Sequence, residues 1–178
     1  MKTGVILIDN TGNGFEGAVA ETRKAAEYQQ LSGKNVLQLE LITEEMLSLV
    51  RSVTGEMKAS FWIEAEDGQF DLHLNTKTVM DKEKRYQLIS SASSRKNEAA
   101  KTFLGYLRNV LEEAMAAEAD HSASDIPMDI LHDIPGDPVE DAGWDGYERS
   151  VLAKVADQVK VAIRGGVVDM TVSKKFAK

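Results

Sequence analysis

Asn35-Val36-Leu37-Gln38-Leu39-Glu40-Leu41-Ile42-Thr43-Glu44-Glu45-Met46-Leu47-Ser48-Leu49-Val50-Arg51-Ser52-Val53 is the stretch on which the fold turns. At its start Val36, Leu37, Leu39 and Leu41 alternate as strand residues do. Over its whole length Leu39, Ile42, Met46, Leu49, Val50 and Val53 recur at three and four, the spacing of one helical face. No glycine or proline falls between Asn35 and Thr54. The spacing therefore predicts one long helix over 35–53. A parallel strand here would instead make the chain a βαβ protein.

Working outward, Gly4 to Asp9 reads as a short apolar strand closed by the turn-prone Asn10-Thr11-Gly12-Asn13-Gly14. A helix is expected from Phe15 to Leu31, stopped by Ser32-Gly33. Beyond the long helix, Lys58 to Glu66 and Gln69 to Asn75 alternate apolar and polar residues around Asp67-Gly68. That dipeptide suits a type I′ turn, whose central residues both take positive φ. Asp81 to Ser91 reads as a short helix. A helix over 97–118 carries Ala100, Phe103, Leu104, Leu107, Val110, Leu111, Ala114 and Met115 as one apolar stripe. That stripe reads first as core and second as a partner surface. Residues 119–144 hold all three prolines and read as a loop. Trp144 to Gln158 is expected to be helical, with Val151, Leu152, Val155 and Val159 on one face. Two strands around Gly165-Gly166 follow.

Hairpins require antiparallel pairing, so the expected fold is α+β. It is a two-layer sandwich, with helices on one face of a mixed, mostly antiparallel sheet. The 178 residues, 43% of them hydrophobic, suffice for one domain with its own core. With no cysteine, disulfides and thiolate chemistry are excluded, which fits a cytoplasmic setting. The first apolar run is too short for a signal peptide, and nothing approaches the roughly 18 apolar residues of a membrane span.

The net charge of −8 is uneven. Glu118, Asp120, Asp125, Asp129, Asp133, Asp137, Glu140, Asp141 and Asp145 fall in a stretch without Lys or Arg, which leaves the rest of the chain at +1. Nucleic acid is therefore an unfavourable partner. His121 and His132, among Asp125, Asp129 and Asp133, match no zinc or calcium spacing, so no metal site is expected. His73 falls on the polar face of its strand and is expected to be exposed.

Three stretches resemble the GHKL ATPase superfamily, whose module has the Bergerat (histidine-kinase-like ATPase) fold. The nearest group is the anti-sigma-factor serine kinases. Leu39 to Ser48 resembles the helix carrying that family's catalytic Glu and Mg²⁺-binding Asn. Val151 to Val159 resembles the helix after its second glycine box, and Gly165 to Phe176 its last two strands. The resemblance implies one such domain over 1–178, with 81–144 as an enlarged lid region. It implies Glu45 as the position of the general base, and Thr76, Thr78 and Gly146 as adenine- and phosphate-site positions.

The family's Asn position holds Leu49, which cannot ligate a cation that demands oxygen, and Val53 stands four residues on. Glu148, just after Gly146, would repel a triphosphate. The resemblance therefore implies a regulatory protein that works by protein–protein interaction, with ATP bound weakly or not at all. Its partner would be a sigma factor or another regulator, and a homodimer is compatible with it. Neither nucleic acid nor a membrane is an expected partner. The alternative within the family is an active protein serine kinase or ATPase.

Outside it, Gly12-Asn13-Gly14-Phe15-Glu16-Gly17 follows a strand and precedes a helix, with Glu40 lying 23 residues beyond Gly17. That reads as the loop of a dinucleotide-binding oxidoreductase. The competing reading is a plain strand-to-helix turn. Ser32-Gly33-Lys34-Asn35 lacks the upstream glycine of a phosphate loop and reads as a helix stop.

Overall fold

A computed structural model describes residues 1–9, 11, 13–55, 58–100 and 151–177. Strand β1 is Ile6–Ile8, helix α1 Phe15–Tyr28, helix α2 Gly33–Thr54, strand β2 Ala59–Glu66 and strand β3 Gln69–Lys77. Helix α3 is Lys82–Ser91, a 3₁₀ turn covers Glu98–Ala100, helix α4 is Val151–Val155, and strands β4 and β5 are Gln158–Arg164 and Val167–Lys175.

The decisive stretch is helical. Ser32 caps α2 by accepting the Asn35 N–H at 3.4 Å, and Gly55 ends it at φ 71° with its N–H returned to the Arg51 carbonyl. Leu39, Ile42, Met46, Leu47, Val50 and Val53 are buried. Leu37 and Leu41, which gave the strand-like alternation, stay 64% and 37% exposed. Ser32-Gly33 thus starts a helix rather than stopping one. Helix α1 has already ended at Tyr28, and the turn passes through Gln30 at φ 58°.

The sheet order is β1-β2-β3-β5-β4, and every neighbouring pair among the described residues is antiparallel, so the sheet is not mixed. Asp67 and Gly68 both take positive φ, 47° and 77°, as a type I′ turn demands, and Gly165-Gly166 repeat the device. Ala59, Phe61, Ile63, Phe70, Leu72, Leu74, Val161, Val168 and Met170 point into one core, which α1 and α2 cover. Ala18, Ala25 and Ala26 let the two helices approach closely, and the buried hydroxyls of Thr22 and Thr43 meet between them at 3.0 Å. The opposite sheet face is half exposed. The two-layer α+β sandwich with helices on one face is therefore the observed architecture.

Two expected boundaries differ. Val159 does not continue a helix: Gln158 and Val159 pair with Ser173 and Val172, so the sheet ladder claims them. Asn97 leads into the 3₁₀ turn at Glu98–Ala100, where the 97–118 helix was expected to begin. Its buried amide accepts the Ile163 N–H at 2.9 Å and donates to the Ile163 carbonyl at 3.0 Å, which straps the chain along the outer edge of β4. Ser93 does the same at Val159, with two bonds of 2.8 Å. An edge strand covered in this way cannot template pairing with another chain at those positions. The rest of the expected 97–118 helix and the loop 119–144 lie outside the described residues.

Candidate functional site

The face of α2 that carries Glu45 and Leu49 also carries Gln38, since residues four and seven apart share one side of a helix. Gln38 donates to the Val155 carbonyl at 3.4 Å, so this face looks toward α4, and α3 packs on the same helix. Glu45 is half-buried and makes no hydrogen bond or ion pair with a described residue. Leu49 is half-buried against the core, and Val53 belongs to the core itself. Among the described residues of α2, Glu45 is the carboxylate on this face, and the position a turn further along, Leu49, presents methyl groups.

The two threonines serve the backbone. Thr76, 1% exposed, points to the helix side of the sheet, where its hydroxyl donates to the Lys58 carbonyl at 3.0 Å. Thr78 donates its N–H to the Gly166 carbonyl at 2.9 Å, tying the end of β3 to the second hairpin turn. Gly146 lies outside the described residues, as do His121 and His132.

Of the glycine-rich loop, Asn13 and Gly14 lie in a turn that follows Thr11 and leads into α1. In the loop the carboxylate of Asp9 collects the Thr11 N–H at 2.9 Å, the Thr11 hydroxyl at 2.5 Å and the Asn13 side-chain amide at 3.3 Å. These bonds, that of the Thr11 hydroxyl first, hold the Asp9 carboxyl below the usual carboxylate range. These donors at the head of the loop serve an anion of the chain itself. Together with the helical α2 and the antiparallel sheet, this removes the dinucleotide-binding reading.

A polar cluster on the open sheet face was not anticipated. Trp62 and His73 stack with ring centroids 4.9 Å apart and planes 9° from parallel. The Lys2 ammonium lies 5.7 Å from the Trp62 ring and pairs with Glu64 at 2.8 Å. His73 shares a hydrogen bond of 3.1 Å with Thr171, and Asp71 accepts the Ser173 hydroxyl at 2.6 Å. His73 is therefore not exposed, since only 20% of its side chain meets solvent. Burial pushes its pKa down, against the pull of Glu64 and Asp71, so at neutral pH its 3.9 Å approach to Glu64 is not an ion pair. Glu64 is itself held low, chiefly by the hydrogen bond from Lys2. The signal for the stack was present: a two-residue turn at Asp67-Gly68 places Trp62 opposite His73.

A shallow groove between α1 and α2 is lined by Arg23, Glu27, Leu31, Val36, Leu37 and Glu40, with Arg23 and Glu40 paired at 2.6 Å across it. Among the described residues no group of three His, Asp or Glu side chains is placed to hold a metal, and no helix is long and apolar enough to cross a membrane.

Neither a family model nor a curated protein sequence matches the chain. The fold is similar to that of a chain in the crystal structure of the SiaB–SiaC complex from Pseudomonas aeruginosa. The match has a TM-score of 0.50 and 11% identity, and covers 98% of this chain and 91% of that one. At that identity the likeness shows the fold alone.

Proposed function

We propose that this chain is a regulatory protein that acts by binding another protein, a sigma factor or other regulator. In this reading it uses a GHKL-type scaffold whose nucleotide cleft holds ATP weakly or not at all. The observation that carries the reading is the wall of α2, where Glu45 is followed one turn on by the half-buried hydrocarbon of Leu49. Leu49 gives Mg²⁺ no oxygen at this position, which weakens its hold where it would neutralise a transferring phosphoryl group. Thr76 supports the same reading, because its hydroxyl is committed to Lys58 and carries no charge to strengthen a contact with adenine. Association with a protein as the mode of action is supported by the similar fold found within a two-protein complex, aligned over nearly all of both chains.

Calorimetric titration with ATP and ADP, with and without Mg²⁺, tests it. The expected result is no saturable heat below the millimolar range. Mg²⁺-dependent binding at about 10 µM or tighter, some 7 kcal/mol, would refute it.

A further inference from the structure

Helix α2 carries a second face that the core does not use. Lys34, Leu37, Leu41, Glu44 and Ser48 lie on its outside, all exposed, with Leu37 64% and Leu41 37% open to solvent. Lys34, Leu41 and Ser48 repeat every seven residues, as do Leu37, Glu44 and Arg51, which is the spacing of a coiled-coil seam. Neither Lys34 nor Glu44 makes an ion pair or side-chain hydrogen bond with a described residue.

The stripe is self-complementary in one geometry. When two copies of α2 cross antiparallel about a two-fold axis beside Leu39, Leu37 of each faces Leu41 of the other. The same operation sets Lys34 of each against Glu44 of the other. A like-with-like closed pair demands this property, in which residue i meets j and j meets i. The two ion pairs flank four leucines, with about 15 Å of helix between Lys34 and Glu44.

We propose that α2 is the seam of a homodimer, and that its occupant is a second copy of this chain in this antiparallel register. Charge complementarity decides against a parallel pair, which would set Lys34 against Lys34 and Glu44 against Glu44. A seam of one helix falls short of the roughly 1,600 Å² of a standard interface, so the dimer is weak, with a dissociation constant on the order of 10 µM. The inference does not depend on the nucleotide reading: this stripe lies beside, not on, the face that bears Glu45 and Leu49.

Sedimentation of the full chain from about 1 to 300 µM is the test. The weight-average mass is expected to rise from the monomer's 19.6 kDa toward twice that value. Lys34→Glu and Glu44→Lys, each alone, are expected to weaken association at least about tenfold, because each sets like charges opposite one another. The two single variants mixed one to one, and the double variant carrying both changes, are expected to recover it. Both positions are exposed, so unchanged unfolding midpoints confirm that the variants fold. A monomer at every concentration overturns the proposal, as does a dimer indifferent to the single changes. Failure of the mixture to recover association refutes the register.

Discussion

Substituting the glycines of the Gly12-Asn13-Gly14-Phe15-Glu16-Gly17 loop by alanine separates a structural turn from a ligand loop. Gly14 caps α1 at φ 86°, and a Cβ placed there would lie 2.1 Å from the Leu7 carbonyl oxygen and 3.1 Å from the Ile8 Cα. The obstacle is backbone of β1, so no rotamer change relieves it. The left-handed conformation costs an alanine about 1–2 kcal/mol, and displacing a packed element adds roughly 1–3 kcal/mol. Gly14→Ala is therefore expected to lose about 2–5 kcal/mol, a large share of the 5–15 kcal/mol typical of a domain.

Gly17 lies inside α1, and the nearest atom to its Cβ would be the Ile6 Cγ2 at 3.9 Å, an ordinary contact. Gly17→Ala is expected to stabilise by roughly 0.5–1 kcal/mol, since alanine loses less backbone entropy in a helix. Urea unfolding followed by circular dichroism reads both. With a slope of about 1–3 kcal/mol per molar, the Gly14 change moves the midpoint down by on the order of 1–2 M. A loss below about 1 kcal/mol for Gly14→Ala would refute the packing argument. A loss above that for Gly17→Ala would show the close helix–strand packing of a dinucleotide fold.

Leu49→Asn restores an oxygen one turn from Glu45; on the proposed scaffold it should make nucleotide binding Mg²⁺-dependent by calorimetry, whereas silence with and without metal would count against an ancestral cleft there. Asn97→Ala removes both side-chain bonds to Ile163 and should cost about 1–3 kcal/mol. Its specific signature is faster hydrogen exchange at the Ile163 amide, and an unchanged rate there would reject the strap. His73 predicts a pH dependence. Its folded pKa lies below the usual 6.5, so the unfolded chain takes up a proton first as pH falls. Its contribution is complete above about pH 6.5 and declines from there toward the lower folded value, so the unfolding midpoint should fall over that range and flatten in His73→Gln. A midpoint that rises on acidification through pH 6 would reverse the sign and reject the burial argument.

Periodicity alone determined the architecture's parts. The three-and-four spacing of Leu39, Ile42, Met46, Val50 and Val53 decided helix over strand because it runs for fifteen residues, while the alternation of Leu37, Leu39 and Leu41 lasts five. Asp67-Gly68 and Gly165-Gly166 specified both hairpins, and the first turn already implied that Trp62 faces His73. That Leu49 offers no ligand to a metal needed no coordinates, since hydrocarbon is no ligand in any fold.

Only the tertiary structure decided the rest. Val159 belongs to a strand because Val172 and Ser93 offer its backbone partners that no local signal announces. Asn97 is a clamp because Ile163, 66 residues away, presents it an unpaired edge. Thr76 is committed to Lys58 through a contact set by sheet register. The glycine loop closes on Asp9, a choice that depends on where three side chains converge. A linear pattern records which groups can bond; the assembled sheet and helix layer determines which of them meet.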